Sequence, residues 1–395
     1  MNLPPVPTSH QASHPRPADS PGTPPCIEHL YFHIPFCPKV CPYCCFYVEE
    51  GSANRNTAFL EALLREVDQA AQTCALRPRT LYFGGGTPTA LRTEQLAFLL
   101  EGLRQRLDLS ALQEWTVEAN PSTVRPEKAR LLRQSGVTRV SLGVQSWTDS
   151  TLKTLGRTHS AEQARHTFTV LRAEKFPSLN IDLMFSVPGQ SHADWERDLA
   201  ETLALRPDHV SCYCLTYEED TEFFRKLTSG RFAQNEEKDA ALFETTMDRL
   251  EAAGFDHYEI SNYARPGHCS LHNLAYWQGA DFWGFGPSAF STRGTQRTQN
   301  VCNTTEYVRR LHADLSPTAS VETLPESTRA RERILFGLRM RSGVESLQLD
   351  PWAGEVQHLL KIGLLEDAGT RIRLTRRGRL LADLVGESFV DAPLP

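Results

Sequence analysis

No stretch of about 18 consecutive apolar residues occurs in this chain of 395, so a membrane-spanning helix is not expected. The first 25 residues, MNLPPVPTSHQASHPRPADSPGTPP, hold eight prolines and no apolar core. A secretory signal needs roughly 7–15 apolar residues together, so none is expected here. Too few apolar side chains are present to offset the entropy of ordering the segment, and residues 1–27 are expected to form a disordered, Pro-rich tail. Basic charge is not in excess either. The formal net charge is −6, which argues against nucleic acid as the main partner. No fixed short period repeats along the chain, which excludes a solenoid. Without an export signal the expected location is cytoplasmic. Disulfides do not persist there, and clustered thiols serve as metal ligands or catalytic groups.

What is present is an ordinary globular balance, 40% hydrophobic and 23% charged. The length suits one large domain and a smaller one, at roughly 100–200 residues each. From residue 28 short apolar runs alternate with amphipathic stretches. The runs are HLYFHIPF, TLYFGGG, WTVEANP, RVSLGVQS, LNIDLMFSVPG and HVSCYCLTY. Helix-like segments follow at Asn54–Cys74, Thr93–Leu107, Pro126–Ser135, Ala161–Ala173, Ala193–Leu205 and Glu236–Ala253. Leu60, Leu63, Leu64 and Val67 recur at helical spacing in the first of these. Six strand–helix units predict an α/β fold with a parallel sheet covered by helices, short of the eight that close a barrel. Sites in such sheets form at the carboxyl ends of the strands. Cys37–Cys44, Gly84–Thr87, Glu118, Gln145 and Asp182 therefore fall on one rim. The rhythm stops over 261–320, an aromatic and glycine-rich connecting region, and a separate C-terminal unit is expected over 321–395. The main domain is then 28–260.

The stretch CPKVCPYCCF places Cys37, Cys41 and Cys44 on a short loop after a strand. Thiolates suit zinc or an iron–sulfur cluster. Zinc would need a fourth ligand, for which Cys212 and Cys214 are available. Three thiolates on a four-iron cluster would instead leave one iron open. The triple glycine Gly84–Gly86 is a tight turn that lets a backbone approach a ligand.

These residues resemble the radical S-adenosylmethionine superfamily, in the branch that contains oxygen-independent coproporphyrinogen III dehydrogenases and HemW-type heme chaperones. The likeness runs through YFHIPFCPKVCPYCCF, YFGGGTPTAL, VEANP, GVTRVSLGVQS, TLGRTH, NIDLMFSVPGQ, YEISNYARPG and HNLAYW, and so covers nearly everything from residue 28. It implies a partial (β/α)6 barrel with a small helical, winged-helix-like C-terminal domain. It also implies a [4Fe–4S] cluster on Cys37, Cys41 and Cys44. S-adenosylmethionine would sit on the open iron, fed by a cellular electron donor and cleaved to a 5′-deoxyadenosyl radical. Gly85, Gly86 and Thr87 match the turn that contacts this cofactor, and Glu118 the acid that contacts its nucleoside. Tyr31 and Tyr43 lie at further contact positions. Gln145, Arg157 and Asp182 match positions that touch a second S-adenosylmethionine in the dehydrogenases.

HNLAYW resembles the chaperone signature more than the dehydrogenase one. The function it implies is to bind heme and pass it to an acceptor protein. Oxidative decarboxylation of coproporphyrinogen III is the alternative. Imidazole is a usual heme ligand, which makes His272 a candidate. The dehydrogenases carry a further cysteine two residues after the last cluster ligand, where this chain has Phe46. Cys45 fits neither pattern and is expected to be a small buried thiol. Arg371, Arg373, Arg376, Arg377 and Arg379 could read DNA as part of a winged helix. The negative chain charge and the family's use of this domain as a cover point away from a DNA-binding regulator.

Overall fold

The computed structural model describes residues 26–390, and the proline-rich segment up to residue 25 lies outside them. Six parallel strands follow one another in the sheet: β1 (Cys26–Ile34), β2 (Ala75–Gly85), β3 (Glu114–Ala119), β4 (Arg139–Gln145), β5 (Ser178–Phe185) and β6 (His209–Cys214). Each strand is followed by its predicted helix, within about three residues of the expected ends; the first spans Ala53–Ala71 and the last Glu236–Ala252. The fold is the expected α/β partial barrel.

Alternation along each strand separates two kinds of surface. On β1, Leu30, Phe32 and Ile34 are fully buried on the outer face under helix Ala53–Ala71, which buries Phe59, Leu60, Leu63, Leu64 and Val67. Phe32 stacks on Phe285 and meets Phe83 edge-on. Each such side chain contributes roughly 1.5–3 kcal/mol by leaving water. The opposite face is polar. His29, Thr80, Tyr82, Glu114, Glu118, Arg139, Ser141, Asn180, Asp182, His209 and Ser211 line the lumen. They are buried or half-buried, so they must satisfy one another. Asn180 Nδ2 donates to Ser141 Oγ at 2.6 Å and to Asp182 Oδ1 at 2.7 Å. His209 bridges Asn180 Oδ1 and the Tyr258 hydroxyl at 2.7 and 2.8 Å.

Short strands after β6 add to both edges of the sheet. Asp256–Glu259 and Asn262–Ala264 extend it beyond β6, and Trp283–Phe285 pairs in parallel with the free edge of β1. Strand β1 also begins at Cys26, inside the expected tail. Between the two edge additions, helix Leu271–Trp277 plugs the amino-terminal end of the lumen. Its first turn rests on Glu114, which accepts from the Leu271 and His272 amides at 3.0 Å each. Arg139 donates both terminal nitrogens to the His268 carbonyl at 3.0 Å.

The C-terminal unit is a helix, Glu326–Arg339, with a three-stranded sheet and further helices around its own core of Ile334, Leu338, Trp352, Leu359 and Phe389. Its arginines are engaged with carboxylates and carbonyls. Arg376 pairs with Asp248 at 2.5 Å and Arg379 donates to His257 Nδ1 at 2.8 Å, both on the barrel; Arg373 pairs with Glu366 and Arg371 with Glu345. Arg377 caps the Ile362 carbonyl.

Candidate active site at the carboxyl rim

The cysteine loop leaves β1 at Pro35 and is tied down at three places. Phe36–Cys37 pairs with Glu49–Glu50, the Cys44 amide turns back to the Cys41 carbonyl at 3.1 Å, and the Phe223 amide holds the Pro42 carbonyl at 3.1 Å. Cys37, Cys41 and Cys44 are free and half-buried. Burial pushes the Cys37 thiol up and the Cys44 thiol up to about 11. Cys45 is exposed, not buried as expected. Cys44 faces the protein, so its neighbour on this bend faces out, together with Phe46, which is 66% exposed. Among the described residues no three His, Cys, Asp or Glu side chains converge on one metal ion. In a four-iron cluster, by contrast, each thiolate binds a different iron.

The Gly84–Thr87 turn is the neighbour of this loop. The Gly86 amide donates to the Ile34 carbonyl at 2.9 Å and the Thr87 amide to the Phe36 carbonyl at 2.8 Å. Those two N–H groups therefore hold the cysteine loop. The Thr87 hydroxyl lies 3.5 Å from Cys37 Sγ. Gly85 has φ +95°, and a Cβ on Gly86 would stand 2.7–2.9 Å from the backbone of residues 34–36. Only glycine permits this approach.

Two half-buried carboxyls face the same space. Glu118 accepts the Tyr82 hydroxyl at 2.7 Å and is pushed up to about 7, chiefly by burial. Asp182 accepts from Ser141 at 3.0 and 3.1 Å and from Asn180, and burial also raises it. Arg157 donates to the Gly143 carbonyl at 2.8 Å and reaches Cys41 Sγ at 3.7 Å, while its Nε is buried without a partner. Gln145 takes φ 70° at the end of β4, and its amide folds back over Gly143. Tyr43 is half-buried beside Arg157 and Cys41. The Tyr31 hydroxyl donates to His33 Nδ1 at 3.2 Å, because His33 Nε2 is committed to the Tyr47 carbonyl.

His272 lies elsewhere. Its Nδ1 bonds Thr80 Oγ1 at 2.8 Å and its ring packs on Tyr82. Thr80 precedes Gly84 by four residues, roughly 13 Å along a strand. The cavity beside His272, lined also by His29, Ala275, Tyr276, Ala280 and Phe282, is about 10 Å³, enough for one water. Burial lowers His272 to about 3, so the imidazole is neutral and able to ligate.

Two residues of the rim escaped the sequence reading. Tyr82 was discoverable, since period-two alternation puts it on the Gly84 face. Lys128 was not, because a lysine within a helix reads as solvated. It is buried, and its Nζ donates to the Thr89, Leu91 and Thr123 carbonyls at 2.6, 2.9 and 3.0 Å. It thereby clamps the segments that follow Gly84–Thr87 and Glu118.

Residues 31–201 match the radical SAM superfamily and residues 324–381 the HemN C-terminal domain. The chain is 38% identical over 363 residues to the heme chaperone HemW of Mycobacterium tuberculosis, covering 90% of this chain and 93% of that one. It is 33% identical to the heme chaperone HemW of Bacillus subtilis, with coverage of 92% and 99%. Among solved structures, coproporphyrinogen III oxidase HemN of Escherichia coli, described as a radical SAM enzyme, superposes with a TM-score of 0.79 at 24% identity, covering 93% and 90%. That likeness establishes the fold.

Proposed function

The chain belongs to the radical SAM superfamily, in the branch of the heme chaperone HemW, and from that premise we propose that it binds heme and hands it to an acceptor protein. A [4Fe–4S] cluster and S-adenosylmethionine are held at the rim. The observation that carries the reading is the convergence of three free thiols, the Gly84–Thr87 turn, Glu118 and Arg157 at one end of the barrel. The donor set suits the cluster: three separated, half-buried thiols with a guanidinium beside Cys41 to offset thiolate charge. The unpartnered Arg157 Nε supports a further polar occupant. When bound, the cluster supplies the electron that reductive cleavage of S-adenosylmethionine requires. Cys37, Cys41 and Cys44 are its ligands. Glu118, oriented by Tyr82, receives hydroxyl groups of the nucleoside. Gln145, Arg157 and Asp182, with Tyr31 and Tyr43, line the rest of the cofactor space. His272, neutral and oriented by Thr80, offers an imidazole to heme iron. A porphyrin exceeds the present cavity, so it would reach His272 from outside, past Tyr276 and Phe282.

Anaerobic reconstitution followed by heme titration tests this. About four irons per chain are expected, lost with Cys37→Ala, Cys41→Ala or Cys44→Ala and kept with Cys45→Ala. Heme should bind near one per chain, with an altered spectrum in His272→Ala. Carbon dioxide released from coproporphyrinogen III, abolished by Cys41→Ala, would replace this reading with the dehydrogenase one.

A further inference from the structure

His29 and His272 share one hydroxyl. His29 Nδ1 lies 2.9 Å from Thr80 Oγ1, and His272 Nδ1 lies 2.8 Å from the same oxygen. The rings stand edge to face, 6.4 Å apart, and both line the small cavity beneath Tyr276 and Phe282. A neutral imidazole carries a single N–H, on one of its two ring nitrogens, and each of these rings turns Nδ1 to the same oxygen.

A hydroxyl has one proton and two lone pairs. If Thr80 gives its proton to His272, that ring must carry its own proton on Nε2, and no lone pair is left there for a metal. If Thr80 gives its proton to His29 Nδ1, the oxygen accepts from His272 Nδ1–H. His272 Nε2 then carries a free lone pair, and His29 presents an Nε2–H to the same cavity. Which ring nitrogen is free to ligate is set by the hydrogen bond the other one makes.

We propose that His29 is a positioning residue for His272: by accepting the Thr80 proton it holds His272 in the Nδ1–H tautomer and leaves the Nε2 lone pair free for heme iron. The inference rests on the reading of His272 as a heme ligand. It adds a residue outside the candidate site residues named so far, since His29 precedes Cys37 by eight positions and faces the opposite end of the lumen.

The experiment uses the full chain with ¹⁵N-labelled histidine, free of heme, to read the two tautomers, and then heme titration. His272 should show Nδ1–H and His29 Nε2–H. His29→Leu and Thr80→Val should each allow the other His272 tautomer to appear and weaken heme binding about five-fold. Combining them should add nothing. His29→Gln, whose amide carbonyl can accept from Thr80, should restore affinity, and Thr80→Ser should behave as wild type. A His272 ring that is Nε2–H in the unsubstituted protein, or a His29 ring that is Nδ1–H and so donates to Thr80 instead of accepting from it, would overturn the proposal. So would wild-type heme affinity in both the His29→Leu and Thr80→Val variants while His272→Ala still changes the heme spectrum. A His272→Ala spectrum identical to wild type would instead sink the ligand reading itself, and this proposal with it.

Discussion

Tyr82 donates its phenolic proton to Glu118 at 2.7 Å while its ring packs 5.0 Å from that of His272. One side chain thus touches both the rim and the plugged end of the barrel. Replacing it with Phe keeps the ring contact and removes the donor. Glu118, already pushed up to about 7 by burial, loses a bond that lowers its pKa, so the carboxyl should titrate at higher pH. S-adenosylmethionine affinity near neutral pH should fall, by about ten-fold for a lost charge-assisted bond, and recover as pH is raised. Equilibrium binding from pH 6.5 to 9 checks this; a uniform loss across the range would contradict it.

Gly86→Ala should be more damaging than its size suggests. The added carbon would meet Ile34 O, Pro35 C and Phe36 O within 2.9 Å. These are backbone atoms that move only with the cysteine loop. The expected outcome is a folded barrel, by far-ultraviolet circular dichroism, that retains less than half the reconstituted iron of wild type. Full iron content would show that the loop is free to shift.

Lys128→Met removes the ammonium that three carbonyls share. Buried acceptors left without a donor should cost about 3 kcal/mol in urea unfolding. Amides over residues 88–91 and 120–123 should exchange with solvent faster than the rest of the barrel. A uniform change in exchange would mean the clamp is not local.

Glu66 is fully buried and accepts from Tyr307 Oη, the Gly286 amide and Asn300 Nδ2. Burial raises it from 4.5 to about 7. A carboxyl with a raised folded pKa gives stability that is complete below about 4.5 and is lost as pH climbs through 7. Glu66→Gln has no such loss. Relative to wild type the variant should therefore gain up to about 3 kcal/mol between pH 4.5 and 8. The lowered histidines act in the opposite direction but are common to both proteins. Urea midpoints at the two pH values decide it, and a difference that does not change with pH rejects it.

The barrel was legible because each strand carries its apolar residues toward the helices, as Leu30, Phe32 and Ile34 do. The rim was legible because glycine, cysteine and acidic residues stand at strand ends, where parallel sheets gather their ligands. The edge strands were not. Asn262–Ala264 and Trp283–Phe285 are three residues each, too short to show alternation, and their pairing is set by partners far away in sequence. Cys45 misled because proximity to ligands was taken for burial, whereas orientation on the bend decides exposure. His272 could be picked out by its motif, but only the packing reveals that it lies below Tyr82 and bonds the hydroxyl that His29 also uses.

The pairing of Leu30 with Trp283 and of Phe32 with Phe285 has a consequence for biosynthesis. Strand β1 receives its outer neighbour only after roughly 250 further residues have been made. Throughout that interval a nine-residue, largely apolar strand, Cys26–Ile34, offers an open edge to any other nascent chain. The half-made protein is thus most vulnerable to misassembly before residue 285 emerges. Release of the chain upstream of that point should yield aggregates, and release just beyond it a sheet in which the β1 edge is covered.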